Sequence, residues 1–194
     1  MKVGLAYLYI APFKDHTDGQ KPTYGTGMEA AKMVSADLTY EKSEAEGYAN
    51  NTLVESDNAI TGGSITLEGD YFSGPAREMA FGISAITEND GTTYRTRNKA
   101  TPYVGAGFIL VEQVNGKVIY QATWVYKTQF SPQGVSATTK SKNTEFKSTQ
   151  VSGKFMGLKV DMEEEAFIDD REFDTLGAAQ AWLKALANMT DAAA

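Results

Sequence analysis

The stretch at residues 103–126, YVGAGFILVEQVNGKVIYQATWVY, constrains the fold of this chain more than any other feature of the sequence. Two runs rich in β-branched and aromatic residues flank Asn115-Gly116. This residue pair is the one that two-residue type I′ turns favour, because both positions require positive φ angles. The stretch therefore predicts a β-hairpin that turns at these two residues.

Further strands follow from the same kinds of pattern. Residues 30–40 and 64–71 alternate between apolar and polar positions, which is the period of a strand with one wet face. In the first of these runs we expect Val34, Ala36, Leu38 and Tyr40 to share the apolar face, and in the second Ile65, Leu67, Gly69 and Tyr71. Residues 62–63, two glycines, indicate a turn or bulge. Residues 3–10, 127–137 and 145–160 are the remaining predicted strands or strand pairs.

The segments between these strands are predicted as loops. Residues 11–27 contain two prolines and three glycines, which favours a long loop. Residues 41–58 and 87–101 are mostly polar, and the second of them has a turn signal at Asn89-Asp90-Gly91. Residues 41–60 are nevertheless unusual for a loop, because apolar side chains such as Tyr48 and Ile60 are spaced through an acidic stretch.

Two helices complete the pattern. Residues 75–83 begin after Ser73, a suitable N-cap, and carry proline in the first turn. Residues 174–189 place Leu176, Ala179 and Leu183 on one side at helical spacing, with Trp182 near the middle. The chain is therefore predicted to be mainly β, with one internal helix and one C-terminal helix.

Composition limits the class of protein. A length of 194 residues fits one domain with a sizeable core, and 42% hydrophobic residues is a globular value. The chain has no cysteine, which excludes a disulfide framework and a thiolate nucleophile. No run is apolar and long enough to span a membrane, so no membrane anchor is expected. The first fifteen residues lack the long apolar run and cleavage site of a signal peptide, and they are predicted to contain the first strand.

The charge is unevenly distributed. Residues 161–174 contain eight acids and one arginine, which accounts for the whole net charge of −7. An acidic chain is poorly suited to hold nucleic acid, since that task needs a basic surface. Such a run usually forms a solvated face, although a metal site or a basic partner surface would also explain it.

No catalytic constellation is apparent. The single histidine, His16, is expected to be an exposed loop residue, and none of the common nucleophile, phosphate-loop or metal motifs occurs. The consecutive acids at Glu163-Glu164 and Asp169-Asp170 are poor candidates for paired glycosidase carboxylates, which must face each other across a cleft. We therefore expect no enzyme, no cofactor and no metal. Tyr120, Trp124 and Tyr126 share one side of a strand, as either a glycan platform or a core face.

The order of several motifs resembles a known family. The pieces are GLAYLYIAP at the N-terminus, VSADLTYEKSEAEGYANNTLVES, ITGGSITLEGDYFSGPAREMAFG, TPYVGAGF and W-x-YK-x-x-FS. Together, over residues 3–157, they resemble the major tail protein, or tail tube protein, of bacteriophages with long non-contractile tails. The C-terminal acidic segment and helix are less characteristic of that family.

The resemblance implies a fold of two packed antiparallel β-sheets, a sandwich or partial barrel, with a flanking helix. The first domain would comprise residues 1–160, and residues 161–194 would pack on it. Six copies would form a ring, stacked rings would form the tube, and double-stranded DNA would pass through as transient cargo. The implied partners are further copies of the chain and the tape measure, tail terminator and distal tail proteins. The protein would be located in the virion tail, and in the host cytoplasm during assembly.

A channel for DNA should not bind phosphate, because each lysine or arginine contact releases counterions and adds affinity. We therefore expect the sheet of residues 34–71 to line the lumen with its acids. The candidates are Glu41, Glu44, Glu46, Glu55, Asp57, Glu68 and Asp70.

Head-to-tail contacts between copies require two complementary surfaces. The basic candidates for the subunit interface are Arg95, Arg97, Lys140, Lys142 and Lys147, and the acidic ones are Glu163, Glu164, Asp169 and Asp170. Two other classes of function stay open at this point. The chain could be a monomeric β-sandwich that binds a glycan or a protein ligand, or a hydrolase that uses the acidic segment.

Overall fold

A computed structural model describes residues 2–49, 52–97, 99–132, 148–162 and 164–189, with the side chains of 2–3 and 44–58 not described. These residues form two α-helices, α1 (Gly74–Phe81) and α2 (Leu176–Leu186), and eleven strands. The strands are β1 (Lys2–Asp15), β2 (Thr23–Tyr24), β3 (Met28–Ala31), β4 (Met33–Ala49), β5 (Thr52–Gly69), β6 (Ser84–Glu88), β7 (Gly91–Arg95), β8 (Tyr103–Val114), β9 (Lys117–Ser131), β10 (Thr149–Met156) and β11 (Ile168–Phe173). The prediction of a mainly antiparallel β protein with one internal and one C-terminal helix is confirmed.

The predicted hairpin is the central pair of the fold. β8 and β9 form an antiparallel ladder from Val114–Lys117 back to Tyr103–Gln129. The turn residues Asn115 and Gly116 have φ angles of 51° and 80°. Both are left-handed, as a type I′ turn requires.

Nine strands form one large sheet, with the path β2-β1-β8-β9-β10-β5-β4, and β6 and β7 form a separate two-stranded sheet. β3 pairs with β1 and is separated from β4 only by Lys32, while β4 pairs with β5 at the other end of the path. Residues 28–38 therefore pass from β1, near one end of this strand path, to β5, near the other end. The sheet must curl to allow this, and the face on the inside of the curl is its inner face.

The main core fills this inner face. Ile65, Phe130 and Phe155 project into it from three strands and are at most 2% exposed. Helix α1 closes the core with Ala76 and Ala80, which are buried. The helix begins after Ser73, whose hydroxyl accepts a hydrogen bond from the backbone N–H of Ala76, as the sequence predicted.

A second core covers half of the outer face. Helix α2 places Ala179 and Leu183, both fully buried, against Trp124 and Ile109 of the central hairpin. Thr175 caps this helix by accepting from the N–H of Ala178. The strands β1, β8 and the first half of β9 are thus covered on both faces.

Three predictions about strand limits are wrong. Residues 11–27 are not one long loop, because β1 continues to Asp15 and β2 pairs with it. Residues 127–137 do not begin a new strand, since β9 runs without interruption to Ser131. The acidic segment is not only a solvated face, because β11 lies within it and pairs with β9 from Ile168–Val125 to Phe173–Tyr120.

The polar stretches at residues 41–58 and 87–101 also differ from prediction. The first belongs to the long β4–β5 hairpin, and the second contains most of the β6–β7 hairpin, which turns at Asn89-Asp90. Strand propensity at these positions is low, so cross-strand pairing overrides it.

The placement of three side chains differs from prediction, two of them in the alternating strands and one in a predicted loop. Val34 is 55% exposed because the β4–β5 register shifts between Met33 and Ser35, which is a β-bulge. Tyr71 is 66% exposed because β5 ends two residues earlier. His16 is not a free loop residue, because its side chain is 10% exposed and its Nε2 lies 3.1 Å from the carbonyl oxygen of Lys159.

Neither α1 nor α2, the helices in the described part of the chain, has the length and apolar character that crossing a membrane requires. The predicted boundary at residue 160 stays a prediction.

Candidate functional site

The other half of the outer face carries polar side chains, and neither described helix packs on it. Rows of residues in register across β4, β5, β10 and the end of β9 define this surface, which we call the bare face. It consists of Ser35, Asp37, Thr39, Glu41, Ser64, Thr66, Glu68, Gln129, Ser131, Gln150, Ser152 and Lys154. Because strand residues alternate, the intervening residues, such as Ile65 and Leu67, fill the core at 0% exposure.

Hydroxyls, amides and carboxylates dominate the bare face. Its charged members are three acids, Asp37, Glu41 and Glu68, and one base, Lys154. Lys154 Nζ lies 3.4 Å from Glu41 Oε1, so this cation has an acidic neighbour within the surface. The surface therefore presents negative charge and neutral polar groups to solvent.

Glu68 is held in its ionised form. Its carboxylate accepts hydrogen bonds from the hydroxyls of Ser148 and Ser35, the second at 2.9 Å. These two bonds, with that from Ser148 the stronger cause, lower the pKa of Glu68 below its usual range. The negative charge at this position therefore persists into mildly acidic solution.

A second lysine borders the bare face. Lys127 Nζ lies 4.5 Å from the ring centroid of Tyr103 and 5.1 Å from that of Phe13. An ammonium group between two ring faces is stabilised by both quadrupoles. This arrangement holds the cation against the aromatic rings at the border of the surface.

The other predicted lumen candidates fall in different places. Asp70 follows the end of β5, and its carboxylate accepts hydrogen bonds from the backbone N–H groups of Lys32 and Tyr71, at 3.0 and 2.7 Å. It therefore fixes a chain bend rather than extending the rows of the bare face. Glu44, Glu46, Glu55 and Asp57 lie on β4 and β5, but their side chains are outside what the structure describes.

A long free edge borders the bare face. β4 has 17 residues, and within the described residues it pairs along one side only, with β5. The ladder between β5 and β10 stops at Gly63–Phe155. Beyond that point residues 42–49 and 52–61 pair with each other and with no other strand in the described part of the chain, as a two-stranded extension that we call the ribbon.

The candidates for the subunit interface divide into three groups. Arg95 ends β7, and Arg97 follows it, and both side chains are exposed. Asp169 and Asp170 lie on β11, where Asp169 pairs with Lys21 at 2.9 Å and Asp170 accepts from Thr123 Oγ1 at 2.5 Å. Glu164 is exposed in the preceding turn, while Lys140, Lys142, Lys147 and Glu163 lie outside the described residues.

The aromatic residues of the central hairpin form core rather than a platform. Trp124 and Tyr126 are at most 2% exposed and Tyr120 is half-buried, all three in the core beneath α2. Burial, with a smaller contribution from Asp169, raises the pKa of Tyr126. These side chains therefore offer no open face for stacking a sugar ring.

The sequence reasoning missed the part of the bare face contributed by β9 and β10. Gln150, Ser152 and Lys154 alternate with the apolar or small residues Val151, Gly153 and Phe155, so the signal was present in the sequence. The position of these β10 residues beside β5 could not be predicted from the sequence, because it depends on a pairing between strands about 85 residues apart.

The described residues contain no group of three or more acids or histidines arranged to hold a metal ion. A comparison with protein-family models finds no match for this sequence, and a comparison with curated proteins finds none either.

Proposed function

We propose that this protein is a structural subunit that polymerises into a tube through which double-stranded DNA passes, as the tail tube protein of a long-tailed bacteriophage does. The observation that carries the proposal is the bare face together with its free edge strand β4. A polar sheet surface bordered by a long strand edge is what one segment of a cylindrical wall requires.

The free edge supports self-assembly. A strand of 17 residues that pairs on one side only, among the residues that the structure describes, invites pairing with another chain. Monomeric proteins usually block such edges with bulges, prolines or short strands. β4 carries no proline, its own bulge at Val34 lies among its first residues, and its ladder with β5 continues into the ribbon. A two-stranded ribbon is marginally stable alone in water, so contact with neighbouring copies would stabilise it.

The chemistry of the bare face supports a DNA channel. DNA-binding proteins hold phosphates with free lysine and arginine side chains. Here Lys154 lies beside Glu41, and Lys127 lies against two aromatic rings. A wall of hydroxyls, amides and three carboxylates would let the phosphate backbone pass without counterion release.

Electron microscopy of the purified protein at rising concentration tests the assembly. We expect hollow rings or tubes with the bare face inside. A protein that stays monomeric up to its solubility limit, or tubes whose density places β4 and β5 on the outside, would contradict the proposal.

The channel chemistry has its own test in the double variant Asp37→Lys with Glu68→Lys. Tubes of this variant should retain double-stranded DNA, and each new phosphate contact should steepen the slope of log affinity against log salt by about 0.9. The double variant Asp37→Asn with Glu68→Gln is the matched control without added cations. Tubes of the lysine variant that release DNA as freely as the control would count against a lumen at this surface.

A further inference from the structure

The large sheet splits at one place, between β11 and the ribbon. β10 and β11 both pair with the same edge of β9, β10 at residues 127–131 and β11 at residues 120–125. β5 lies beside β10 as far as Gly63, but within the described residues it has no ladder to β11. The far edge of β11 and the near edge of the ribbon therefore face an opening that we call the notch.

The notch has an aromatic floor. The ring of Tyr40 lies 5.7 Å from that of Phe155, which in turn lies 6.2 Å from that of Phe167. Tyr40 and Ile60 continue this apolar surface onto the start of the ribbon and are 45% and 42% exposed. Exposed large apolar side chains beside unpaired strand edges are typical of a surface that another chain covers.

The wall of the notch formed by β11 is acidic. Asp170 and Glu172 are two residues apart on one strand and therefore share a face, the face opposite that of Arg171 and Phe173. Both are exposed. Burial raises the pKa of the Tyr40 hydroxyl, and the negative charge of Asp170 adds to this increase, which indicates that the two side chains are near each other. The occupant of the notch should therefore be extended, basic and partly apolar.

A strip of matching character begins at the end of β7. Arg95, Arg97 and Lys99 alternate along the chain after Tyr94, and all three are exposed. In an extended chain, alternate side chains repeat every ~7 Å on one side, so Arg95 and Arg97 match the spacing of Asp170 and Glu172 on β11. The chain turns after Arg97, where the backbone N–H of Lys99 donates to the carbonyl oxygen of Arg97 at 2.9 Å. Arginine suits such a contact, because its planar fork binds carboxylates in a bidentate manner.

The acidic end of the notch and the chain that follows the strip meet β9 at different positions. Tyr103, four residues after Lys99, pairs with Gln129, whereas Glu172 pairs with Gln121. These two positions on β9 are eight residues apart, which corresponds to about 26 Å along a strand. The two surfaces therefore suit a head-to-tail contact between copies, the kind that closes rings or propagates filaments.

We propose that the notch receives residues 95–97 of the strip of a second copy of this chain, with Asp170 and Glu172 facing Arg95 and Arg97. This proposal specifies one contact within the proposed assembly. It rests on the proposed function only because it also requires that copies of the chain associate. The ribbon of a second copy is a poorer occupant, because its acids at residues 41–57 would meet the acids of β11.

The absence of cysteine from the chain allows a clean crosslinking test. Ile60→Cys lines the notch, and Thr96→Cys lies between the two arginines of the strip. Mixed under oxidising conditions, these two single-cysteine variants should form a disulfide-linked dimer. Val118→Cys is the matched control for Ile60→Cys, since Val118 is 40% exposed near the same end but outside the notch. We expect about tenfold more mixed dimer with Ile60→Cys than with the control.

Charge reversal then identifies the contact. Adding Arg97→Glu to the strip variant should remove the excess of mixed dimer, and adding Glu172→Arg to the notch variant should restore it. Salt at about 1 M should also reduce the yield, because it shortens the screening length to about 3 Å.

Three outcomes would overturn the inference. One is equal dimer yields for Ile60→Cys and Val118→Cys, and another is no restoration by the reciprocal reversal. The third is a higher yield when Lys142→Cys replaces Thr96→Cys, which would identify another basic segment as the occupant. If hollow tubes form but Ile60→Cys and Val118→Cys give equal yields of mixed dimer, the contact at the notch is refuted and the tube is not. If the specific crosslink forms but no rings or tubes are seen, the tube is refuted and the contact is not.

Discussion

The hydroxyl of Tyr24 should contribute more to stability than its position on a two-residue strand suggests. It donates a hydrogen bond to the carbonyl oxygen of Tyr126 at 2.7 Å and accepts one from Trp124 Nε1 at 3.1 Å. Its ring meets that of Trp124 edge-on, with centroids 5.3 Å apart. Burial raises the pKa of Tyr24, so the hydroxyl stays protonated and remains a donor at any pH of practical interest.

The variant Tyr24→Phe keeps the ring and removes both hydrogen bonds. It leaves a buried indole N–H and a buried carbonyl without this partner, and each such group costs about 1–3 kcal/mol. Because the two groups share one partner, we expect a combined loss of about 3 kcal/mol. For a chain of this size that loss lowers Tm by about 6–12 °C.

Chemical and thermal unfolding followed by circular dichroism would measure this loss. Tyr71→Phe is the matched control, since Tyr71 is 66% exposed and its change should stay within about 0.5 kcal/mol. If Tyr24→Phe behaves like the control, the hydroxyl does not hold β2 against β9, and the reasoning is refuted.

Two other predictions concern the bare face. In a nuclear magnetic resonance titration, the carboxyl of Glu68 should show a midpoint below the usual value of 4.5, and Ser35→Ala should raise it. Since the folded pKa is the lower one, the stabilising contribution of Glu68 is present above the unfolded pKa and is lost as the pH falls through the folded value; an unchanged midpoint in Ser35→Ala would contradict the assignment. Gly63→Ala should destabilise the protein by about 1–3 kcal/mol, because its Cβ would meet the Phe155 ring and the Thr39 carbonyl oxygen. Gly91→Ala, with open space around the new Cβ, is the control, and a stabilising Gly63→Ala would show that β4, β5 and β10 are less tightly apposed than described.

Local sequence signals predicted the elements that depend on neighbours in the chain. The Asn115-Gly116 turn requires two positive φ angles, and the sequence supplies residues that tolerate them. Ser73 and Thr175 cap their helices through hydrogen bonds that span three residues. The apolar side of α2 was readable for the same reason, since a period of 3.6 fixes which residues share a face.

Signals that depend on distant partners were misread. β11 is acidic and would not form a strand by propensity, but it pairs with β9 more than 40 residues earlier in the chain. The ribbon was predicted both as a polar loop and as part of the lumen-lining sheet of residues 34–71, because strand pairing between its two halves is not visible in either half alone. The bulge at Val34 likewise exposes a side chain that was predicted to face the core, because the register of a strand is set by its pairing with the neighbouring strand.

Local sequence patterns specify that the chain is mainly β, which turns and caps it uses, and that its net charge is acidic. Periodicity and composition act over a few residues, and so they specify faces and elements but not their neighbours. Tertiary contacts bring β10 beside β5 to complete the bare face, place α2 over the other half, and leave a notch between β11 and the ribbon. The strand pairings behind these features join residues about 40 to 90 positions apart, where core packing selects the partner that local preference cannot.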